Sequence, residues 1–426
     1  VVAQDPDWLF DLHEGYEFNV SHKPKPGKDK SVGSTIIYDR NQQIEPLVQR
    51  MLRAANATVS RPDRRFVPRT RGPIKSSLAS AVINVLGKRA MILETTFNYQ
   101  SLSIRTRQHR AMMAVALRML EMVDRTPRQL QEFTLALDAE EAGIKNYVVP
   151  TLSDVYYGTH SRQVLDFWKA DAREPTPVVF MIHGESWTTG SKVRVFDDID
   201  VRRLLDEGLS VVSINYRFLH QAPRGNDHPP VRTPLYDAAR ALQFVRSNAG
   251  DWNLDATRIA GSGTSAGACA GLWLALHRDL AESNSRDPIA RESTRLSCLA
   301  VSGAQTTLDP KQMQEWTPNI REGGKAFGFR TFEDFLVKRD SVLPWIREYS
   351  PYSHLTADDP PMALFYKHPT KLGRSQEIQT DASLSGVKMR ELCRQNGVEC
   401  YLHYAGMKDA KYTSTTDYLI ERLTQQ

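Results

Sequence analysis

Short apolar runs alternate with amphipathic helical segments from residue 151 to the end of the chain. The apolar runs have the length of buried strands and lie at 164–168, 178–182, 209–215, 258–261, 299–302, 362–366 and 399–404. The helical segments between them cover 234–249, 266–280 and 384–395. This alternation predicts an α/β fold, with a mostly parallel sheet flanked by helices. Residues 308–350 interrupt it with an aromatic-rich stretch, which predicts a cap beside a site.

The first 125 residues predict a smaller α/β segment. Helices are expected at 43–56 and 105–123, and a buried strand is expected at 90–93, ending at Glu94. A polar stretch follows Arg125. We therefore expect two domains, 1–125 and 151–426, joined by a linker at 126–150.

The composition is that of a folded protein without a membrane span. Of the 426 residues, 41% are hydrophobic and 25% are charged, and no stretch approaches the roughly 18 uncharged apolar residues of a spanning helix. No signal segment is visible at the start of the given chain. The four cysteines form no CxxC pair and predict no disulfide framework. The sequence does not determine the cellular compartment.

The net charge is uneven along the chain. Residues 1–125 hold 20 Lys/Arg against 12 Asp/Glu, a net of +8, and the remainder has a net of −3. The densest basic cluster, residues 61–71, has one aromatic residue, two prolines and no nucleic-acid motif. A solvated loop is the preferred interpretation, with a carboxylate-binding surface as the alternative. We expect no nucleic-acid partner.

The sequence Gly263-Thr-Ser265-Ala-Gly267 fits the GxSxG pattern and lies between a predicted strand and a predicted helix. A serine in this context sits on a sharp, strained turn that projects its hydroxyl, and the glycines allow tight backbone packing. The alternative is a glycine-rich turn with an inert serine. The strand before and the helix after favour a nucleophile.

The sequence His183-Gly184-Glu185-Ser186-Trp187 follows the 178–182 strand directly. With the GxSxG pattern, and with 211–217, 237–246 and 350–361 in the same order, residues 151–426 resemble an α/β-hydrolase of the carboxylesterase/lipase type. The resemblance implies that Ser265 attacks an ester carbonyl while backbone N–H groups at Gly184, Glu185 and Ala266 hold the oxyanion. It implies a small-molecule ester substrate, with small acyl or sugar esters expected, and no cofactor. His183 is expected to be structural.

Three departures from the family pattern bear on activity. Glu185 and Ser186 replace loop glycines, and a carboxylate turned towards the oxyanion would cost about 3 kcal/mol. The acid expected after the 362–366 strand is Asp381, with Glu377 as the other carboxylate. The loop 405–412 has no histidine, so the base is unassigned and impaired activity is expected. His403 and His368 are the remaining candidates for it.

The segments 11–18, 91–96 and 105–110 resemble the latter part of a zinc carboxypeptidase/aspartoacylase-like domain. The resemblance implies that His13 matches a zinc ligand and Glu94 the general base. Zinc catalysis needs three protein ligands, and no HxxE motif occurs in the chain. We therefore expect no bound metal and a truncated metallocarboxypeptidase-like segment, with an accessory domain as the alternative.

Three functions remain open at this point. The first is a serine esterase, the second a non-catalytic hydrolase-fold binding module, and the third a fragment of a zinc peptidase or deacylase joined to an esterase. The intact GxSxG context favours the first, and the missing histidine favours the second. The oligomeric state is not determined by the sequence.

Overall fold

The protein is described by a computed structural model of the 426-residue chain. The structure describes residues 7–15, 34–42, 44–57, 59, 64–70, 72–73, 77–96, 100, 102–120, 122, 146–223, 225, 227–318, 320–368, 383–408 and 410–425. The chain divides into two compact units, Val1–Val149 with Asp154–Tyr156, and Pro150–Ser153 with Tyr157–Gln426.

The first unit is built on a four-stranded sheet. Its strands are β1 (Trp8–Gly15), β2 (Thr35–Tyr38), β3 (Val67–Arg69) and β4 (Arg89–Thr96), in the order β1-β4-β2-β3. β1 runs parallel to β4, and β2 runs antiparallel to β4. The helices are α1 (Glu45–Ala57), α2 (Leu78–Leu86) and α3 (Leu102–Met119).

Two apolar clusters hold this unit together. The larger one packs Ile36 and Met91 of the sheet against α1 and α3, and the smaller one packs Ile37 and Ile92 against α2. Because successive strand residues face opposite sides, one sheet serves both clusters. Helices therefore cover both faces of the small sheet.

The second unit contains most of an eight-stranded sheet with the order β12-β11-β10-β9-β7-β8-β6-β5. Its strands are β5 (Leu152–Tyr156), β6 (Val164–Trp168), β7 (Thr176–Ile182), β8 (Ser210–Ile214), β9 (Leu254–Thr264), β10 (Cys298–Ser302), β11 (Met362–Tyr366) and β12 (Cys400–Tyr404). From β12 to β8 every recorded pairing is parallel, and β6 runs antiparallel to β8. Every residue of β7, β8 and β11 is buried, as expected for strands covered on both faces.

Helices connect these strands. They are α4 (Val195–Asp198), α5 (Val201–Asp206), α6 (Arg232–Ser247), α7 (Ala249–Trp252), α8 (Ala266–Leu276), α9 (Pro310–Trp316), α10 (Phe332–Val337), α11 (Leu343–Tyr349), α12 (Ser383–Asn396) and α13 (Thr415–Thr424). Helices α9, α10 and α11 lie between β10 and β11, in the segment predicted to be a cap. Among the described residues no helix is both long and apolar enough to cross a bilayer.

The architecture is an α/β-hydrolase fold, as predicted, with a smaller N-terminal sheet beside it in the chain. The strand order places β9 at the centre of the large sheet, between β10 and β7. Because these strands are parallel, the loops that follow them meet at one edge. That edge carries the candidate site.

Candidate active site

Ser265 occupies the turn between β9 and α8. Its backbone adopts φ 54° and ψ −116°, a conformation that is strained for a residue with a side chain. Its N–H donates to the carbonyl of Ser302 at the end of β10 (2.9 Å), and its carbonyl accepts from the N–H of Cys269 (3.0 Å). Helix and sheet together therefore fix the strained serine.

The two glycines of the GxSxG pattern allow this turn to pack. A Cβ atom on Gly267 would lie 2.0 Å from the carbonyl oxygen of Ile182, at the end of β7, and one on Gly263 would lie 2.7 Å from the backbone of Gly267. A Cβ on Gly184 would lie 2.6 Å from the carbonyl oxygen of Thr264. All three contacts are with backbone, which cannot swing aside as a side chain can. The backbone packing thus brings the loop after β7 against the serine turn.

The loop after β7 carries three consecutive left-handed residues. Glu185, Ser186 and Trp187 have φ values of 68°, 54° and 55°, a region that favours glycine. The hydroxyl of Tyr216 lies 2.8 Å and 2.9 Å from the carbonyl oxygens of His183 and Gly184 and holds the start of this loop. The loop therefore keeps a glycine-like backbone with other side chains.

His183 is part of the packing beneath this loop. Its ring is fully buried and stacks on Tyr216 with 4.3 Å between ring centroids. Burial, helped by the nearby Arg162 guanidinium, lowers its pKa to about 3. A neutral histidine so placed supports the loop, and it does not line the cavity described next.

A cavity of about 370 Å³ opens on Ser265. Ser186, Trp187 and Ala266 form the wall next to the serine. Residues 320–326 and 330–332, which belong to the predicted cap, form another part of the lining, so the cap does lie beside this cavity. Its volume is in the range of small-molecule sites.

Glu185 does not line this cavity. Its exposed carboxylate lies 3.3 Å from Nε of Arg194 and accepts a hydrogen bond from the hydroxyl of Thr189 (2.9 Å). The sequence left open whether this charge faces a developing oxyanion. In the structure it is paired with an arginine outside the cavity.

No histidine lines the cavity in the part of the chain that the structure describes. His403 lies within β12, with its ring 5.7 Å from that of Phe365, and His368 is exposed just after β11. Asp381 and Glu377, the predicted acids, lie outside the described residues. The base and the acid therefore remain predictions.

The loop after β12 contributes a core residue. The Tyr412 side chain is 4% exposed, and its hydroxyl donates to Glu421 (2.7 Å). Its N–H donates to the hydroxyl of Tyr401, which also lies 3.0 Å from its carbonyl oxygen. This loop is anchored by packing and hydrogen bonds.

Asp198, at the end of α4, is a residue that sequence reasoning missed. Its carboxylate accepts a hydrogen bond from the side chain of Thr264, which directly precedes the nucleophile candidate. Burial raises its pKa to about 6, against the opposing charges of Arg194 and Lys367. No sequence motif marks Asp198, because its environment comes from elements far apart in the chain.

The two candidate zinc residues of the first unit lie side by side on neighbouring strands. His13 of β1 is in register with Glu94 of β4. The His13 ring is half exposed, with Nε2 2.9 Å from the Asp11 carboxylate, and burial raises the pKa of Glu94 to about 7. The described residues contain no group of three or more His, Cys, Asp or Glu side chains that fits a metal ion.

Comparison with known proteins locates the hydrolase in the second unit. Residues 165–371 match the BD-FAE family. BD-FAE is an α/β-hydrolase esterase family, and the match covers just under half of the chain. It includes both the loop after β7 and the serine turn. The resemblance of residues 1–125 to zinc carboxypeptidases is not supported by the comparisons.

Curated relatives of this chain are also esterases. The Mycobacterium tuberculosis protein named probable carboxylic ester hydrolase LipM is 34% identical over 120 residues, which is 27% of this chain and 26% of that protein. Gut esterase 1 of Caenorhabditis briggsae is 35% identical over 94 residues, 22% of this chain and 17% of that protein. The matched parts thus span about a quarter or less of these two relatives. Together with the BD-FAE match they indicate a carboxylesterase-like hydrolase family.

Among solved structures, a truncated carbohydrate esterase from gut microbiota is similar to 65% of this chain, and the similarity covers 97% of that chain. Its sequence identity is 17% and its TM-score is 0.48. We draw no functional conclusion from this similarity.

Proposed function

We propose that this protein is a serine esterase in which Ser265 is the nucleophile. The observation that carries the proposal is the strained backbone of Ser265 between β9 and α8, opening on a cavity of about 370 Å³. The match to the BD-FAE family over residues 165–371 supports it. The substrate class is small esters, in keeping with the cavity volume.

The oxyanion is held by backbone N–H groups on both sides of the serine in this proposal. Ala266 begins α8, where N–H groups lack helical acceptors, and the Glu185 and Ser186 N–H groups donate to no described backbone carbonyl. Gly184 brings this loop against Thr264 and Ser265. Losing one such donor typically costs about 3–4 kcal/mol in transition-state stabilisation.

The general base has no assigned residue beside Ser265 among the described residues. General-base catalysis contributes roughly 10²–10⁴-fold, so hydrolysis without a loop histidine should be slower by about that factor. Asp381 stays our candidate for the acid, and His403 and His368 stay candidates for the base. A non-catalytic binding module is the second candidate function, because no described histidine lines the cavity.

For the N-terminal residues 1–125 we propose an accessory domain, in preference to a truncated metallocarboxypeptidase-like segment. The half-exposed His13 already pairs with Asp11, and no described metal-binding group accompanies it. We keep the organisation 1–125, linker 126–150 and hydrolase domain 151–426 as part of this proposal.

Covalent labelling of the full chain with a fluorophosphonate tests the esterase proposal, because the probe reports an activated serine without a chosen substrate. We expect slow labelling at Ser265 and weak hydrolysis of 4-nitrophenyl acetate, both lost in Ser265→Ala. Thr188→Ala is the control, since Thr188 carries a hydroxyl and lines the same cavity without a role in the proposed mechanism. Equal hydrolysis by the parent and Ser265→Ala, without labelling, would favour the binding module.

A further inference from the structure

We propose that the cavity at Ser265 selects small esters that carry a negative charge, with a carboxylate as the expected group. The inference deepens the proposed esterase function and rests on it for turnover. It does not rest on it for binding, because the charge preference comes from cap residues that line the cavity and not from Ser265.

The part of the cavity wall formed by cap residues 320–326 and 330–332, called the cationic wall below, is rich in positive charge. Arg321, Lys325 and Arg330 line the cavity, and among the described lining residues Glu322 is the one carboxylate. All three cations lie within ten residues of one another in the segment between α9 and α10. They face the same space as Ser265, so a bound ester meets them.

These cations have no ion pair with any residue that the structure describes. Other arginines of the second unit are paired closely: Arg339 with Asp309 (2.5 Å) and Arg217 with Asp237 (2.6 Å). An arginine fork that is free of a protein carboxylate is a ready partner for a ligand carboxylate.

The positive wall is a local feature. Residues 126–426 have a net charge of −3, so a cation-rich patch next to the serine is not a general property of this part of the chain. A cleft lined by one sign of charge concentrates ligands of the opposite sign and raises their association rate. The same effect disfavours cationic esters.

The rest of the lining limits the size and character of the substrate. Trp187, Leu219, Ile320 and Phe332 supply apolar surface in the same cavity. A ligand with a ring or short chain, an ester at one end and a carboxylate at the other matches this combination of walls.

The size of the effect follows from exposure. Arg321, Lys325 and Arg330 are exposed in the free protein, where a single ion pair changes an equilibrium roughly twofold to fivefold. Three of them together should favour the anion by about tenfold or more at low salt. Screening should reduce this preference at high ionic strength.

The test compares two esters of one size, 4-acetoxybenzoate and its neutral amide, 4-acetoxybenzamide. We expect kcat/KM, corrected for the hydroxide-catalysed rate of each ester, to favour the anion about tenfold at low salt and much less at roughly 0.5 M salt. The triple variant Arg321→Gln, Lys325→Gln, Arg330→Gln should lower this ratio about tenfold. The control is Arg202→Gln, Arg278→Gln, Arg286→Gln, which removes three exposed charges outside the cavity.

Binding separates this inference from the esterase proposal. Ser265→Ala is titrated calorimetrically with each ester, which needs no turnover. Tighter binding of 4-acetoxybenzoate than of the amide, lost in the cavity triple variant and kept in the control, supports the inference even if the parent hydrolyses neither ester. Equal binding of both esters, or an equal loss of preference in the control variant, overturns it whatever the activity.

Discussion

The loops at the carboxyl edge of the large sheet fall into two contrasting pairs. The loops after β7 and β9 keep a strained serine and backbone contacts that only glycine permits. The described residues after β11 and β12 include Lys367, an exposed His368 and a buried Tyr412, and none of these three lines the cavity at Ser265. The first pair of loops lines the cavity, and the described part of the second pair does not.

The contrast has a physical origin. The serine turn is set by main-chain packing of α8 against β7, which the fold itself needs, so its shape persists as long as the sheet does. A general base depends on the identity of one loop side chain, and the loop after β12 is held by Tyr412 without it. The fold can therefore keep the serine turn without specifying the side chain of a general base.

The largest effect is expected from a variant that disrupts the packing of the turn carrying Ser265. In Gly267→Ala the new Cβ would lie 2.0 Å from the Ile182 carbonyl oxygen, so either β7 or α8 must move. We expect a loss of about 4 kcal/mol or more in the free energy of unfolding, measured by urea titration with tryptophan fluorescence.

Gly250→Ala is the control for that variant. Its Cβ meets no atom within 4 Å, and Gly250 lies in helix α7, so the change should be neutral or stabilising by up to about 1 kcal/mol. Similar stabilities for the two variants would show that the backbone contact at Gly267 is less tight than described.

An effect of medium size is expected at Asp198, whose carboxylate accepts a hydrogen bond from Thr264 beside Ser265. Burial raises the pKa of Asp198 from its ordinary value of 3.8 to about 6 in the folded protein, so the folded state binds this proton more tightly than the unfolded state. Its stabilising contribution is complete below about pH 4 and is lost as the pH rises through about 6. We expect this contribution of Asp198 to the free energy of unfolding to fall by about 2 kcal/mol over the window, allowing for partial exposure. It is read as the difference between the pH profiles of the parent and Asp198→Asn, because buried His183, with a pKa of about 3, changes the stability of both in the opposite direction.

Asp198→Asn should remove that fall, and the variant should be more stable than the parent above pH 6. Asp251→Asn, which changes an exposed carboxylate on α7, should leave the fall in place. Urea titrations at pH 4, 5, 6 and 7 make the comparison. An unchanged pH profile in Asp198→Asn would mean that this carboxyl is hydrated.

The smallest effect concerns the loop after β7. Glu185→Gly and Glu185→Ala both lose the Arg194 contact, but only glycine relieves the φ of 68°. The left-handed backbone favours glycine over alanine by about 1–2 kcal/mol, and the greater freedom of glycine in the unfolded chain offsets roughly 0.4–1 kcal/mol of this. We therefore expect the glycine variant to be more stable than the alanine variant by up to about 1 kcal/mol. Thermal unfolding of the pair measures it, and a more stable alanine variant would contradict the left-handed backbone.

The large sheet was predictable because each strand carries its own signal. The runs 164–168 and 362–366 match β6 and β11 residue for residue. The pattern predicts that helix α8 reaches residue 280, but it ends at Leu276, because His277 adopts an extended backbone and its ring packs at a tilt against Trp273. That stop is a tertiary effect, invisible in the helical pattern.

The site was predictable only where backbone geometry leaves a mark in the sequence. The GxSxG glycines mark the serine turn because packing forbids a Cβ there. The direction of Glu185 depends on Arg194, and the pKa of Asp198 depends on burial by distant elements. Neither the cationic wall nor these partners follow a periodic pattern, so sequence reasoning did not find them.

Helix α8, which follows Ser265, contacts the cap in a way that constrains protein engineering. Trp273 of α8 is fully buried, and its indole N–H donates to the carbonyl of Glu348 in α11 (2.9 Å). His277 lies between the rings of Trp273 and His354. Deleting the whole insertion between β10 and β11 would remove the hydrogen-bond acceptor of Trp273 and expose this side chain on the helix that follows Ser265. A redesign that widens the cavity should therefore shorten only residues 320–332 and keep 343–354 as part of the scaffold.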